Sequence, residues 1–155
     1  MNSLPVPRRI VLTAAGAGAL ALLVPATTRA QSAQEMAAAV AQFAGGRPVQ
    51  PGRVKLEIAK LVDNGNVVPM KVSVDSPMTA ADHVTEIAVF NEKNPQRDVA
   101  RFTLGPRAGK AEVATRIRLA TSQKLVALAR MQDGSVWSDS VDVVVVLAAC
   151  IEGES

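Results

Sequence analysis

Aromatic side chains are almost missing from this chain. Three Phe, one Trp and no Tyr stand among 155 residues, so Val, Ile, Leu and Ala must fill whatever core it has. Histidine and cysteine are scarcer still, at one each. A zinc site drawn from a Cys/His cluster is therefore excluded, and so is an internal disulfide. No glycine-rich phosphate loop follows a strand and opens a helix. Gly105-Pro-Arg-Ala-Gly109 lies between strand-like stretches and reads as a turn. A Gly-x-Ser-x-Gly elbow is also absent, and the carboxylates are scattered. These absences leave no motif of an enzyme, a metal centre or a cofactor site.

The N-terminus has a pattern of its own. Arg8-Arg9 precede an uncharged run of small and apolar residues over 10–24, Pro25 ends the run, and Thr28-Arg29-Ala30 offers small residues on both sides of Arg29. That order of basic, apolar and small-residue regions is the pattern of an export signal. The run is short for a bilayer span. Its mild hydrophobicity behind paired arginines points to the twin-arginine route. The expectation is a signal peptide over 1–30, a periplasmic location and no membrane attachment after its removal.

Removing that segment also removes the basic character. Of the 17 Lys and Arg, three are Arg8, Arg9 and Arg29, and the remainder equals the 14 Asp and Glu. The remaining domain has no Lys/Arg cluster and no aromatic interleaving, so nucleic acid is not an expected partner. About 125 residues are enough for one domain with one core.

Hydrophobic periodicity changes along the chain. Met36, Val40 and Phe43 recur at helical spacing in an Ala-rich stretch that Gly45-Gly46 stop. A short helix is expected over 31–43, within an N-terminal segment 31–46. Residues 47–52 read as a Pro/Gly linker. From Val54 the period is two, with strands expected over 54–58, 67–74, 84–90, 99–104, 113–119, 124–131 and 135–147. Asn64-Gly65 is a strong turn signal, and Pro69 suggests an edge position or a bulge. About seven short strands separated by regular turns predict an all-β, antiparallel sandwich over 53–147. A tail, 148–155, follows.

Few residues remain as candidates for chemistry. His83, alone at a loop-to-strand boundary, reads as a surface or capping residue. Trp137, among serines and Asp139, reads as a packing residue. Arg116 and Arg118 are two apart on a strand and share one face, with Ile117 and Leu119 on the other. They are either a solvated outer face or a contact for an anion or a partner. Cys150 follows what reads as a buried strand, 141–147, and lies close to a terminus. Free cysteine is commonly a small buried hydrophobe, but an odd thiol in an exported protein is a candidate for pairing or reactivity. Glu152, Glu154 and the terminal carboxylate favour the thiol over the thiolate, so it is not an activated nucleophile of the usual kind.

Over most of residues 35–150 the chain resembles SoxY, the sulfur-carrier subunit of periplasmic thiosulfate-oxidising systems. The resemblance lies in Asn64-Gly-Asn-Val-Val-Pro69, Val72-Ser-Val-Asp-Ser-Pro77, Asn94-Pro95, Ala100-Arg-Phe102, Thr115-Arg-Ile-Arg-Leu-Ala120 and the near-terminal cysteine. It implies an immunoglobulin-like sandwich and a carrier without catalytic site, metal or cofactor. It also implies a heterodimer with a SoxZ-like β-protein, and sulfur held covalently on Cys150. The adduct would be presented to a c-type cytochrome, a sulfate-releasing hydrolase and a sulfur dehydrogenase. The tail departs from the family's Gly-Gly-Cys-Gly-Gly, because Ala149 and Ile151 flank the cysteine. Glycine keeps an arm slim and free, whereas β-branched Ile restricts the backbone. A non-carrier binding or scaffold module of a sulfur-oxidation complex is the alternative.

Overall fold

Apolar residues at every second position build two sheets that face each other. A computed structural model of the chain describes residues 26–148. The order is α1 (Ala26–Ala44), β1 (Val49–Pro51), β2 (Val54–Ile58), β3 (Leu61–Asn64), β4 (Val68–Val74), β5 (Val84–Asn91), β6 (Asp98–Thr103), a 3₁₀ turn (Pro106–Ala108), β7 (Glu112–Ile117), β8 (Gln123–Met131) and β9 (Val136–Leu147). Strands β1, β9, β8, β5 and β6 pair in that order, with β3 added on β9; β2, β4 and β7 form the second sheet. This is an immunoglobulin-like β-sandwich with one N-terminal helix. It has nine strands where about seven were expected.

The inward faces make the main core. Val72 and Met70 on β4 meet Ile87 and Val89 on β5, Leu125 and Ala127 on β8, and Val143 on β9. Val72, Ile87, Val89 and Leu125 are completely buried. At about 25 cal/mol per Å² of apolar surface removed from water, each such side chain contributes roughly 1.5–3 kcal/mol. Asp139 points inward on β9, where its Oδ2 accepts the N–H of Leu56 at 2.8 Å and ties β2 to the opposite sheet.

A second cluster lies on the outer face of the larger sheet. Met36 and Phe43 of α1 cover Ala88, Phe90, Leu128 and Val136. The rings of Phe43 and Phe90 meet edge to face at 6.1 Å. Arg130 donates to the Phe43 carbonyl, and its guanidinium lies 4.5 Å from the ring centroid. Gly45 then ends the helix with φ 59°, a left-handed cap that suits glycine. Strand β5 is consequently buried on both faces along Ile87–Ala88–Val89–Phe90. The helix starts at Ala26, earlier than the periodicity of 31–43 suggested.

Three further expectations change. Residues 49–51, read as linker, form β1, and 61–64, read partly as turn, form β3; both run parallel to β9, so the sandwich is not wholly antiparallel. Pro69 is on the central strand of its sheet rather than an edge. The pairing of β2 ends at Ile58↔Met70, so the missing N–H of Pro69 breaks no ladder bond on that side. The end of β9 is not buried: Val144, Val146 and Leu147 are exposed. They lie beyond Gln123, where pairing with β8 begins, and α1 covers only the opposite end of this face. Most of the expected leader, 1–30, and the tail from 149 onward lie outside the described residues.

Candidate functional site

The polypeptide leaves β9 at a point fixed by two backbone hydrogen bonds. The Gly65 N–H donates to the Leu147 carbonyl at 2.8 Å, and the Leu119 N–H donates to the Gly65 carbonyl at 2.8 Å. The Asn64-Gly65 turn thus bridges the end of β9 and the segment just after β7. In the same turn the Asn66 N–H donates to Asn64 Oδ1 at 2.9 Å, which stiffens the loop locally. Ser122 adds a further tie, its Oγ accepting the Val145 N–H at 2.9 Å. Cys150 itself lies outside the described residues.

The segment that Gly65 joins to this exit carries the two arginines. Arg116 is on β7 and Arg118 is the first residue but one beyond Arg116, just past the strand's end. Both are exposed, whereas Ile117 and Leu119 are buried, as the alternation requires. Neither guanidinium has a side-chain partner among the described residues. A shallow hollow beside them is lined by Asn94, Pro95, Asp98, Val99, Arg116 and Arg118.

Asn94 sets the position of this segment. Its Oδ1 accepts the Ala120 N–H at 3.0 Å and Gln123 Nε2 at 2.7 Å, while its Nδ2 donates to the Arg118 carbonyl at 2.8 Å. Buried Asn91 supports it, accepting the Asn94 N–H at 3.0 Å and donating to the Gln96 carbonyl at 2.8 Å. A neutral amide that satisfies several buried groups fixes a loop more narrowly than apolar contact does. Asn94-Pro95 and Thr115–Ala120, far apart in the sequence, therefore form one structural unit.

Arg116 also borders a hollow on the outer face of the smaller sheet, next to Glu57, Pro69 and Lys71. Lys71 Nζ lies between Glu57 and Glu112, at 3.2 and 3.4 Å. Lys55 lies 2.8 Å from Glu57. The hydrogen bonds from Lys55 and then Lys71 lower the Glu57 carboxyl below the usual carboxylate range, and the Glu57 bond raises Lys71. These exposed charges balance one another and leave Arg116 as the uncompensated cation of the row.

The other candidates are structural. His83 is buried, not at the surface, with Nδ1 2.9 Å from the Thr79 carbonyl. Its backbone carbonyl accepts the Gln132 N–H at 2.8 Å. Trp137 packs against the core, donates to Ser135 Oγ at 3.1 Å and lies under Arg53 at 5.7 Å. No group of three or more His, Cys, Asp or Glu among the described residues could hold a metal ion. No helix among them is long and apolar enough to cross a membrane. The sequence reading missed the exposed apolar end of β9; the unbroken run Val143–Val146 concealed which of its residues face outward.

Comparison with known proteins agrees with this geometry. The sequence profile of the family described as "Sulfur oxidation protein SoxY" matches residues 39–150. The solved structure of the sulfur carrier protein SoxY from Chlorobium limicola f thiosulfatophilum is 27% identical, with a TM-score of 0.64 over 76% of this chain and 97% of that one. Superoxide reductase (neelaredoxin) from Ignicoccus hospitalis shares the fold at 21% identity and a TM-score of 0.54, over 61% of this chain and 80% of that one. Superoxide reductase from Nanoarchaeum equitans shares it at 13% and 0.53, over 62% and 100%. Among curated proteins no sequence matches. The profile match over residues 39–150 and the SoxY structure lead to one assignment: this chain belongs to the SoxY family of sulfur-carrier proteins.

Proposed function

We propose that the chain is the periplasmic carrier subunit of a thiosulfate-oxidising system, exported by the twin-arginine route, and that Cys150 holds the sulfur. The observation that carries this reading is the family match itself, which extends to residue 150. Support also comes from the anchoring of Leu147, which leaves the thiol only three residues beyond a fixed point of the sandwich.

The chemistry asked of Cys150 is simple. The thiol and thiosulfate together give up two electrons and one proton as an S–S bond forms, leaving a cysteine S-thiosulfonate; a c-type cytochrome takes the electrons. Water then cleaves the bond between the terminal sulfonate and the adjoining sulfur, and releases sulfate with a persulfide left on Cys150. A sulfur dehydrogenase oxidises what remains. The sandwich holds no nucleophile or base of its own in these steps. Its roles are to present the adduct and to pair with a SoxZ-like β-protein. Arg116 and Arg118 are the candidate contacts for the anionic end of the adduct or for an acidic partner, because a planar guanidinium suits sulfonate and carboxylate oxygens.

The loading step tests the proposal. The purified heterodimer incubated with thiosulfate and its cytochrome gains the mass of a thiosulfonate adduct, and the Cys150→Ser variant gains none. An equal adduct on the variant, or none on the wild type, removes Cys150 from the function. The scaffold alternative is motivated by Ala149 and Ile151 beside the thiol. It predicts full growth on thiosulfate with Cys150→Ala, whereas the carrier reading predicts none.

A further inference from the structure

The outward positions of β9 change character along the strand. In order they are Val136, Ser138, Ser140, Asp142, Val144 and Val146. Val136 is buried beneath α1. Ser138, Ser140 and Asp142 are what a water-facing strand position calls for. Val144 and Val146 break that pattern, at 54% and 62% exposed. Leu61, the register partner of Val144 on β3, is 63% exposed. Leu147 and Val67 bound the strip at the chain exit, Val67 being two residues beyond the Gly65 that binds the Leu147 carbonyl. Of the six large hydrophobic residues exposed among the described residues, five gather here, and Val49 is the sixth. Single surface hydrophobics need no account, but a contiguous group does.

The length of chain beyond Leu147 says what covers this group. Three residues reach from Leu147 to Cys150, and fully extended they span at most about 10–11 Å. A macromolecule whose active-site atoms touch Cys150 Sγ must therefore come within that span of Leu147, lengthened only by the cysteine side chain and one contact distance. The strip begins there, and Val144 is only about 10 Å further along the strand. A partner wider than that span, seated over the root of the tail, meets Val146, Val144 and Leu61 as it closes on the thiol.

We propose that the Leu61–Val144–Val146 strip is the docking surface for the enzyme that acts on Cys150, engaged by an apolar rim around that enzyme's active-site mouth. The inference rests on the carrier reading of Cys150. It separates two tasks: the tail delivers the reacting atom, and the strip at its root supplies the contact area that holds the enzyme.

The test uses the heterodimer loaded with thiosulfate, the sulfate-releasing hydrolase of the same organism, and released sulfate as the readout. The double variant Val144→Thr, Val146→Thr keeps β-branched side chains and so keeps the strand; Leu61→Gln is a second, independent variant. The expected result is a KM for the loaded carrier raised roughly tenfold by the double variant, the equivalent of losing about 1.4 kcal/mol of contact. The kcat stays unchanged. Alkylation of Cys150 by iodoacetamide, a probe too small to need docking, proceeds at the wild-type rate, and Lys55→Gln on the other sheet leaves KM as it was. An unchanged KM in both strip variants overturns the proposal. Loss of the SoxZ-like subunit on gel filtration also overturns it, by giving the strip to that partner, and so does dissociation of a self-assembled form. A wild-type heterodimer that accepts no thiosulfate removes the carrier reading first and this inference with it.

Discussion

The two ends of one sheet face are finished in opposite ways. Under α1, the outward residues Ala88, Phe90, Leu128 and Val136 are buried against Phe43 and Met36. At the other end, Leu61, Val144 and Val146 have the same apolar character and no covering element among the described residues. Polar outward residues on β9, Ser138 to Asp142, separate the two ends. Both ends are apolar, but the described residues supply a covering element at only one. Apolar surface beneath a helix of the same chain adds to folding stability. Exposed apolar surface at the other end adds nothing to folding, which suits the docking role proposed for it.

Stability measurements separate the two ends most sharply. Phe90→Ala removes a buried ring from beneath α1 and lowers unfolding free energy by about 3–5 kcal/mol, read by denaturant titration. A loss below about 1 kcal/mol would mean that the helix does not stabilise this end. Asn94→Ala strips several partners from Arg118, Ala120 and Gln123. It should cost about 1–3 kcal/mol, with amide exchange accelerating at Leu119 and Ala120 ahead of the rest of the domain. Exchange that rises evenly instead would deny Asn94 its local role. Val144→Thr at the bare end leaves stability within about 0.5 kcal/mol of wild type. A large loss there would show that the strip is already covered within the chain.

The smallest effect is electrostatic. The Arg97 guanidinium bonds Glu35 on α1 at 3.1 Å through Nε. This bond first, and a second from Gln31, hold the Glu35 carboxyl below its ordinary 4.5. Because the folded-state value is depressed, the clamp's contribution is complete above the unfolded value and disappears as pH falls through the folded one. An NMR titration should therefore place the Glu35 midpoint below 4.5, and Arg97→Gln should return it upward. An identical midpoint in the variant would deny the Arg97–Glu35 pair a part in holding α1.

Much of this arrangement is legible in the sequence, for reasons that also explain what is not. Strands β2, β4, β5 and β8 announce themselves because each buries alternate residues in the common core. Strands β1 and β3 do not. They are three and four residues long and exist only by pairing with β9, on residues more than 80 positions away from their partners. Local propensity carries no record of such a pairing. The helix cap at Gly45-Gly46 is local chemistry and reads correctly, whereas the start of α1 has no comparable marker. At the candidate site, the shared face of Arg116 and Arg118 follows from period two. Their connection through Gly65 to the end of β9 does not, since it depends on a turn bridging two sheets. The run over 141–147 suggested burial on composition alone, and only the limits of α1 and β8 reveal that its last residues face out.

The carrier assignment rests on family membership, and the role of Cys150 rests on chemistry that a single mass measurement can decide. The protein would be isolated from its natural source during growth on thiosulfate and its intact mass recorded before and after reduction. Sulfur-bearing adducts that a thiol reductant removes are expected, and they are absent from a strain carrying Cys150→Ser. Finding only the unmodified chain in the wild type, or the same adducts in the variant, would contradict it.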